Sequence, residues 1–430
     1  MPSSLVKKLI VVGCVLLGAV GATVFLCLHM QPPIIARNNP EPNTSFAVLS
    51  TTIKIPILTF ASVENSLTTV SSTVSLYHIF TNDVIAAKQA NSSTISLQFF
   101  GDMMLDRNVA KSMGSRGLDY IFAKVNCHPE PGMTRCDNRM FGAADILIAN
   151  LEGPFAPTRV FTTKSIAFRF DPKWAKQLKH YGFTAFTLAN NHTMDMGAAN
   201  SNFTRKVLAE NGINYFGQEY KESPSLTWYA TSTPPHLPFV RGGQLSPPYE
   251  GGDQGVVSSS VALPATIAFI GIETVDHPIN KAQVLAALNE AKQKTRYIIV
   301  NVHGGVEYKR ISTKAQRTLY HWLIDNGATA VIGHHPHVVE EMEMYKGAPI
   351  FYSLGNFIFD QYFSKDTQEG LSVGLTLQDG GVKSVYLFPF FGVKSQVQLM
   401  TGERRDGFLK WMEDNSRLDG HTITNGKVQL

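Results

Sequence analysis

The sequence predicts an α/β protein with a mainly parallel or mixed sheet that is covered by helices. From residue 94 onward, short apolar stretches of strand length alternate with stretches of helical periodicity. The apolar stretches are hydrophobic on both faces, which is typical of strands covered on both sides. Polar residues follow directly after several of these strands, and open α/β sheets build their binding sites at that edge. The chain has 430 residues, of which 44% are hydrophobic, so it can bury a large core.

The N-terminal region contains an apolar, uncharged run at residues 9–28. Its length is sufficient for one helix to cross a bilayer. Lys7 and Lys8 precede the run, so we expect a cytoplasmic N-terminus, a single pass through the cell membrane and an extracytoplasmic main domain. A cleaved signal peptide is the alternative, although the run is long for one and no clear cleavage site follows it. Residues 1–30 are therefore predicted to be the cytoplasmic N-terminus and transmembrane anchor.

Composition divides the remaining chain into three parts. Residues 31–93 are rich in Ser, Thr, Asn and Pro and are predicted to be a stalk or linker, with some β structure as an alternative near residues 46–84. Residues 94–402 form the predicted folded domain, which includes a Pro, Gly and Ser rich surface loop at residues 232–260. Residues 403–430 are polar, and we expect a loosely packed tail.

Cys127 and Cys136 bracket a short polar insert. An extracytoplasmic location permits disulfides, so a bridge between them is favoured over two free thiols. A two-cysteine metal site is disfavoured because this spacing fits no common zinc pattern.

The elements of the predicted domain follow from its apolar runs. Most predicted strands end in, or are followed directly by, glycine, asparagine or histidine. The predicted strands cover residues 94–100, 145–150, 184–189, 265–271, 297–302, the residues before His334, and 349–353; the predicted helices cover residues 174–181, 281–294 and 313–326.

A histidine cluster stands out at residues 331–338, which read V-I-G-H-H-P-H-V. His335 and His337 have a spacing of two, and Pro336 keeps the chain off a regular strand ladder. Both imidazoles can therefore turn toward one point above the strand end, as in a metal site. A solvated, His-rich loop is the alternative.

Other polar residues at predicted strand ends complete a set of metal donors. An Asp after glycine is usually a turn residue, and an Asn-Asn-His sequence can simply cap a helix, but neither explains why so many donors recur in this position. Carboxylates with imidazoles suit zinc, manganese or iron. The full set is Asp102, Glu152, Asn191, His192, His303, His335 and His337.

The charge pattern argues against one class of partner. The formal charge of +4 is small for this length and forms no basic block. We therefore expect no nucleic-acid partner.

Six motifs in order resemble those of a known family over residues 94–391. They are G-D-M-M-L-D-R, A-N-L-E-G-P, L-A-N-N-H-T-M-D-M-G, V-H-G-G-V-E-Y, G-H-H-P-H-V and Y-S-L-G-N-F. They resemble the motifs of the CapA family of poly-gamma-glutamate capsule synthesis proteins, whose members are similar in fold to calcineurin-like metallophosphoesterases. The resemblance implies calcineurin-like sheet layers flanked by helices.

The resemblance also implies roles for individual residues. Asp102 matches the first metal ligand, Glu152 the bridging carboxylate, and Asn191 the amide ligand. His192 matches the histidine that donates a proton or hydrogen bond to substrate. The remaining imidazole ligands match His303, His335 and His337.

One departure from the phosphoesterase pattern affects the expected metal count. Where phosphoesterases have Asp-x-His, this chain has Asp102 followed by two methionines. A first site of Asp102, Glu152 and His337 should therefore be weak, whereas a second site, with four ligands, looks complete. One divalent metal ion, Mn, Zn or Fe, is favoured over two. The ligands of the second site are Glu152, Asn191, His303 and His335.

The resemblance implies a membrane-anchored component of capsule biosynthesis or export. Its partners would be an anionic polymer such as poly-gamma-glutamate, membrane synthase subunits and the membrane itself. If the site is catalytic, we expect metal-dependent hydrolysis of a phosphoester or amide assisted by His192. Arg107 would hold an anionic oxygen and Glu307 would act as a base or extra ligand, although surface ion pairs explain both residues equally well. The alternatives are a metal-dependent phosphoesterase or hydrolase unrelated to capsules, and a non-catalytic scaffold of a synthase complex.

Overall fold

The computed structural model describes residues 13–19, 22–28, 75–91, 93–125, 141, 144–217, 227–231 and 266–430. The chain divides into two units, Met1–Thr59 and Phe60–Leu430. Cys127, Cys136 and residues 232–260 lie outside the described residues. The disulfide and the surface loop therefore remain predictions.

The first unit contains two strands, β1 (Gly13–Ala19) and β2 (Ala22–Leu28), which pair antiparallel. Within the described ranges, no helix combines the length and the apolar character that a membrane crossing requires. The helix predicted over residues 9–28 is thus not confirmed.

The second unit contains all the remaining elements. Its strands are β3 (Ile95–Met103), β4 (Ile146–Leu151), β5 (Ala185–Thr187), β6 (Asn214–Phe216), β7 (Thr227–Thr231), β8 (Thr266–Glu273), β9 (Tyr297–His303), β10 (Ala330–His334), β11 (Met342–Tyr345), β12 (Ala348–Phe351), β13 (Asn356–Ile358), β14 (Glu369–Gln378), β15 (Gly381–Val393), β16 (Gln396–Leu399), β17 (Thr422–Thr424) and β18 (Lys427–Gln429). Its helices are α1 (Ser75–Ala90), α2 (Arg107–Met113), α3 (Leu118–Ile121), α4 (Trp174–His180), α5 (Gly197–Glu210), α6 (Lys281–Lys294), α7 (Lys314–Asp325), α8 (Lys365–Gln368) and α9 (Gly402–Asn415).

These strands form two mixed sheets. The larger sheet has the order β17-β18-β15-β14-β3-β4-β5-β6, with β13 beside β3 and β16 beside β15. Its strands β3 to β6 run parallel, and β14 joins them antiparallel. The smaller sheet has the order β11-β12-β10-β9-β8-β7, with a parallel centre of β8, β9, β10 and β12. The mixed sheet predicted from the sequence is confirmed, although it is divided into two.

The two sheets pack face to face and helices cover their outer faces. Phe99 of β3 and Phe269 of β8 meet across the interface with ring centroids 6.5 Å apart, within one buried apolar cluster. Helices α2 to α5 cover the larger sheet, where Phe100 and Leu178 share a second cluster. Helices α6 and α7 cover the smaller sheet through residues such as Leu288. Burial on both sides explains why the central strands are hydrophobic on both faces.

Helix α7 shows how local sequence places the histidine cluster. Thr313 and Gln316 form a capping box, in which the Thr313 hydroxyl accepts the Gln316 N–H and the Gln316 side chain accepts the Thr313 N–H. The helix ends before Gly327, which has a φ of +102°. The chain then enters β10, whose last residue is His334.

The prediction of a stalk at residues 31–93 was wrong for its last part. Residues Ser75–Ala90 form α1, and its Phe80 and Val84 are buried against the larger sheet. These two residues are one helical turn apart, so a single apolar face docks on the domain. The expected β structure is absent from this described part of the stalk, and residues 31–74 lie outside the description.

The prediction of a loosely packed tail at residues 403–430 was also wrong. Helix α9 buries Phe408, Leu409 and Met412, and β18 pairs with β15 of the larger sheet. The sequence of α9 is polar overall, but its few apolar residues lie on one face. The polar average composition of this segment therefore led to the wrong prediction, although the helix has an apolar face that packs.

The packing of α9 predicts a measurable loss of stability when its buried residue Met412 is shortened. Met412 is fully buried, so Met412→Ala should lower the free energy of unfolding by about 2–5 kcal/mol. Urea unfolding followed by circular dichroism would measure this loss. A change below about 0.5 kcal/mol, as expected for an exposed residue, would show that the C-terminal helix adds little to the fold.

Candidate metal centre

The candidate site lies where the strand ends of both sheets meet. In the larger sheet, Asp102 in β3 is paired in register with Asn150 in β4. In the smaller sheet, His303 at the end of β9 is paired with His334 at the end of β10. Asn150 Nδ2 lies 3.1 Å from His303 Nδ1, so the strand ends of the two sheets are in direct contact.

Asp102, Glu152 and His337 form one buried group, called the acid–histidine cluster below. One donor atom from each residue lies within 4.8 Å of the other two. His337 Nδ1 is 3.5 Å from Asp102 Oδ2, and His337 Nε2 is 3.7 Å from Glu152 Oε1. Both Glu152 oxygens are buried and accept no hydrogen bond from the described residues. Because a buried carboxylate without donors is costly unless a cation neutralises it, this donor set fits a divalent metal ion.

The electrostatics of the acid–histidine cluster favour a cation. Burial raises the pKa of Glu152 well above its usual range. Burial also opposes ionisation of Asp102, but the neighbouring His334 and His337 hold the pKa of Asp102 well below its usual range. Burial alone would lower the pKa of His337, yet Glu152 and Asp102 raise it to about 9. The two carboxylates thus favour positive charge at this buried position, as a metal ion would supply.

A second group of donors lies beside the cluster. Asn191 Oδ1 is 2.9 Å from His303 Nε2, and the rings of His303 and His335 are 4.9 Å apart. Burial lowers the pKa of His303 well below its usual range and that of His335 to about 4, with His337 adding to the shift of His335. Both imidazoles are therefore neutral at pH 7, the state in which histidine binds metals.

The structure favours the donor set that the sequence predicted to be the weaker. The acid–histidine cluster has one donor atom from each residue within 4.8 Å of the other two. In the second set, the oxygen of Asn191 is hydrogen-bonded to the ring of His303, so these two donors face each other. The two sets share Glu152, and no described contact brings Asn191 to that carboxylate.

The loop that carries His335 and His337 has unusual backbone angles. His335 has a φ of +97° and His337 a φ of +58°, a region that non-glycine residues rarely adopt. Such conformations cost on the order of 1–3 kcal/mol each and persist where the surrounding structure enforces them, often at functional sites. Here, the His335 N–H donates to Asp102 Oδ2 at 3.2 Å, which ties the loop to the cluster.

His192 lies at the edge of the cluster and is held by Asp195. The Nδ1 of His192 is 2.6 Å from Asp195 Oδ2, and its Nε2 is 3.9 Å from Glu152 Oε1. The ring also packs on Phe168 at a centroid distance of 4.3 Å. This arrangement fixes the imidazole with one nitrogen directed toward the cluster. Asp195, three residues after His192, was not among the residues singled out from the sequence.

Comparison with known proteins decides the family of this chain. The family model described as "Bacterial capsule synthesis protein PGA_cap" matches residues 96–361, which is more than half of the chain. The chain belongs to this family.

Named relatives agree with this assignment. The capsule biosynthesis protein CapA of Bacillus anthracis is 27% identical over 315 residues, covering 72% of this chain and 70% of the relative. The PGA biosynthesis protein CapA of Bacillus subtilis is 28% identical over 299 residues, covering 66% of this chain and 68% of the relative. A probable polyglutamine synthesis accessory protein of Mycobacterium tuberculosis is 27% identical over 226 residues, covering 51% and 56%.

Three buried asparagines of this PGA_cap member support the cluster, and the sequence reasoning gave them no role. Asn190 Nδ2 donates to Asn150 Oδ1 at 3.0 Å, and Asn150 Nδ2 donates to Asp102 Oδ1 at 2.8 Å. Asn356 Oδ1 lies 3.0 Å from His337 Nδ1, which leaves His337 Nε2 for Glu152 or a metal. Their position at strand ends beside predicted ligands was the signal that could have identified them.

His334, which is not among the predicted ligands, also contacts the cluster. It is buried, with Nδ1 3.4 Å from Asp102 Oδ1 and Nε2 3.4 Å from Asn301 Oδ1. Its replacement would therefore disturb the electrostatics of Asp102. His334 is unsuitable as a control for ligand variants of this PGA_cap site.

Arg107 and Glu307 lie at the periphery. Arg107 forms an ion pair with Asp360 and places its guanidinium 5.0 Å from the Phe168 ring, beside His192. Glu307 is exposed, but its charge contributes to the raised pKa of Glu152. Neither contacts the donor atoms of the cluster directly in the described contacts.

Proposed function

We propose that this chain is a membrane-anchored component of capsule polymer biosynthesis or export, with a phosphoesterase-like, metal-dependent hydrolytic site. The family assignment supports the capsule role. The acid–histidine cluster is the observation that best supports the metal site. Its three buried donors lie close together, and a carboxylate among them lacks any hydrogen-bond donor from the described residues.

The proposed chemistry assigns each residue a task. Asp102, Glu152 and His337 would hold the metal ion, which supplies Lewis acidity at a phosphoester or amide group. His192, oriented by Asp195, would donate a proton through Nε2 to the leaving group. A calcineurin-like relationship would account for this arrangement between two sheets.

The proposed substrate and partners follow from the relatives and from charge. The relatives in both Bacillus species carry names for capsule or PGA biosynthesis. We propose that the site receives an anionic polymer such as poly-gamma-glutamate, and that synthase subunits act beside it. The side chain of Arg107 is 37% exposed near His192, where it can meet an anionic group despite its ion pair with Asp360.

Membrane attachment is part of the proposal and is supported by the apolar run at residues 9–28 behind Lys7 and Lys8. Protease added to intact spheroplasts should degrade the main domain. Complete protection, with cleavage only after lysis, would place that domain in the cytoplasm and contradict the topology.

The role of His192 predicts a separation of metal binding from turnover. His192→Ala should leave bound metal unchanged and lower kcat by about 10²–10⁴-fold, because the residue donates a proton without coordinating the ion. Asp195→Asn should cause a smaller loss, since it only orients the ring. Metal content and hydrolysis of a generic phosphodiester would be measured on the same preparations. Loss of metal from His192→Ala would show that this residue is a ligand instead.

An alternative is a metal-dependent phosphoesterase with no connection to capsules. The His192–Asp195 pair supports a hydrolytic site in either case, because a binding protein needs no oriented proton donor. Wild-type protein loaded with metal would be tested for phosphodiester hydrolysis and for binding of purified poly-gamma-glutamate. Hydrolysis without polymer binding supports this alternative. Polymer binding without hydrolysis points to a non-catalytic assembly component.

A further inference from the structure

A cavity of about 890 Å³ lies on the helix-covered side of the smaller sheet, outside the metal site. It lies between the first half of α7 and the segment before α6, next to the end of β9. Its walls include the apolar side chains of Ile279, Val306 and Leu319. A volume of several hundred cubic ångströms with mainly apolar walls is typical of small-molecule sites.

The charged groups of this cavity are all basic. Lys281 and Lys314 line it, and none of its lining residues is acidic. Lys281 Nζ lies 5.2 Å from the Trp322 ring, while Lys314 is exposed and forms no ion pair with the described residues. Lys314 is also the first residue of α7, where the helix dipole adds partial positive charge. The cavity therefore combines an apolar surface with a positive mouth.

The inner wall of the cavity is the backbone that follows His303. Gly304 and Gly305 line the cavity. A Cβ on Gly305 would lie 2.6 Å from Gln316 Nε2 and 3.1 Å from Pro336 Cγ, the residue between His335 and His337. One backbone segment thus separates the cavity from the metal-site loop, and glycine is required because no side chain fits there.

We propose that this cavity binds a small amphipathic anion. Its aliphatic chain would lie against Ile279, Val306 and Leu319, and its carboxylate would lie near Lys281 and Lys314 at the start of α7. An uncharged analogue would lose the ionic contact, and a cationic analogue would be repelled. This proposal is independent of metal binding and of hydrolysis.

Calorimetric titration of the full-length chain in lipid nanodiscs would test the proposal, with empty nanodiscs as the blank. Octanoate should bind saturably with one molecule per chain, and 1-octanol about tenfold more weakly, as expected for loss of one charge-assisted contact. Lys314→Glu should weaken octanoate binding by about tenfold or more, since it reverses the charge at the mouth. Lys206→Glu, on α5 and away from the cavity, is the matched control and should leave binding unchanged.

A second variant tests the apolar part of the cavity. Ala315 is exposed on the first turn of α7 and lines the cavity, so Ala315→Trp should obstruct part of it and weaken octanoate binding by about tenfold or more without unfolding the protein. Melting temperatures would confirm that each variant folds. Three results would each overturn the proposal. They are equal affinity for octanoate and 1-octanol, no saturable octanoate binding by the wild type, and unchanged octanoate binding by a folded Ala315→Trp.

Discussion

Replacing His337 by alanine is expected to remove most of the divalent metal bound to the full-length chain. His337 supplies the only imidazole of the acid–histidine cluster and lies between its two carboxylates. Loss of one of three protein donors should lower the metal affinity by about 100-fold or more. Metal content after dialysis against buffered Mn²⁺ or Zn²⁺, measured by plasma mass spectrometry, would give the result.

The control for this variant is His321→Ala. His321 is a partly exposed imidazole on α7 that contacts Glu343 and none of the cluster residues in the described contacts. It should leave the metal content unchanged. His335→Ala distinguishes the two donor sets, because it should cause a severe loss only if the ion lies at the second set. Metal content equal to wild type in His337→Ala would refute the assignment of the acid–histidine cluster.

Gly333→Ala is expected to be among the most destabilising single substitutions in this chain. A Cβ at Gly333 would lie 1.9 Å from the carbonyl oxygen of Tyr352 and 2.5 Å from its carbon. These are backbone atoms that follow β12, which pairs in parallel with β10, so the clash can be relieved only by separating the two strands. We expect a loss of about 3 kcal/mol or more in the free energy of unfolding, or failure to fold. Urea unfolding would measure it.

Gly407→Ala provides the matched control for this substitution. Gly407 lies within α9, and a Cβ there would meet nothing within 4 Å. Alanine should stabilise the helix by about 0.5–1 kcal/mol, because glycine has the larger conformational entropy in the unfolded chain. If Gly333→Ala unfolded at the same urea concentration as wild type, the close approach of β10 and the segment after β12 would be wrong.

The strands and helices that lead to the site were predictable from the sequence because their signals are local. Helix α6 begins and ends where predicted, at Lys281 and Lys294, and β9 carries its histidine at the predicted end. Each of these elements is a continuous apolar run or an amphipathic helix with a glycine or cap at its boundary. Helix α9 was missed because it buries few apolar residues within a polar segment. Helix α1 was missed because the Ser, Thr, Asn and Pro content of residues 31–93 as a whole outweighed its local apolar residues.

The choice of metal donors could be predicted only in part. The carboxylates and histidines at strand ends were visible as residue types, and Asp102, Glu152 and His337 do converge. The positive φ angles of His335 and His337 determine which donors lie together, and no sequence pattern predicts those angles. Asn150 and Asp195 were missed because their importance lies in hydrogen bonds to residues of other strands or loops.

If the acid–histidine cluster binds a metal ion as proposed, its position between the two sheets would link metal supply to the persistence of the folded protein. Asp102 lies in β3 and Glu152 directly follows β4 of the larger sheet, whereas His337 follows β10 of the smaller sheet. A cation held by all three would join the sheets at their shared edge, and its stabilisation would grow logarithmically with the free metal concentration. Metal starvation would then lower the amount of this protein in the cell. Without the ion, the two sheets would separate more often and expose the chain to proteases.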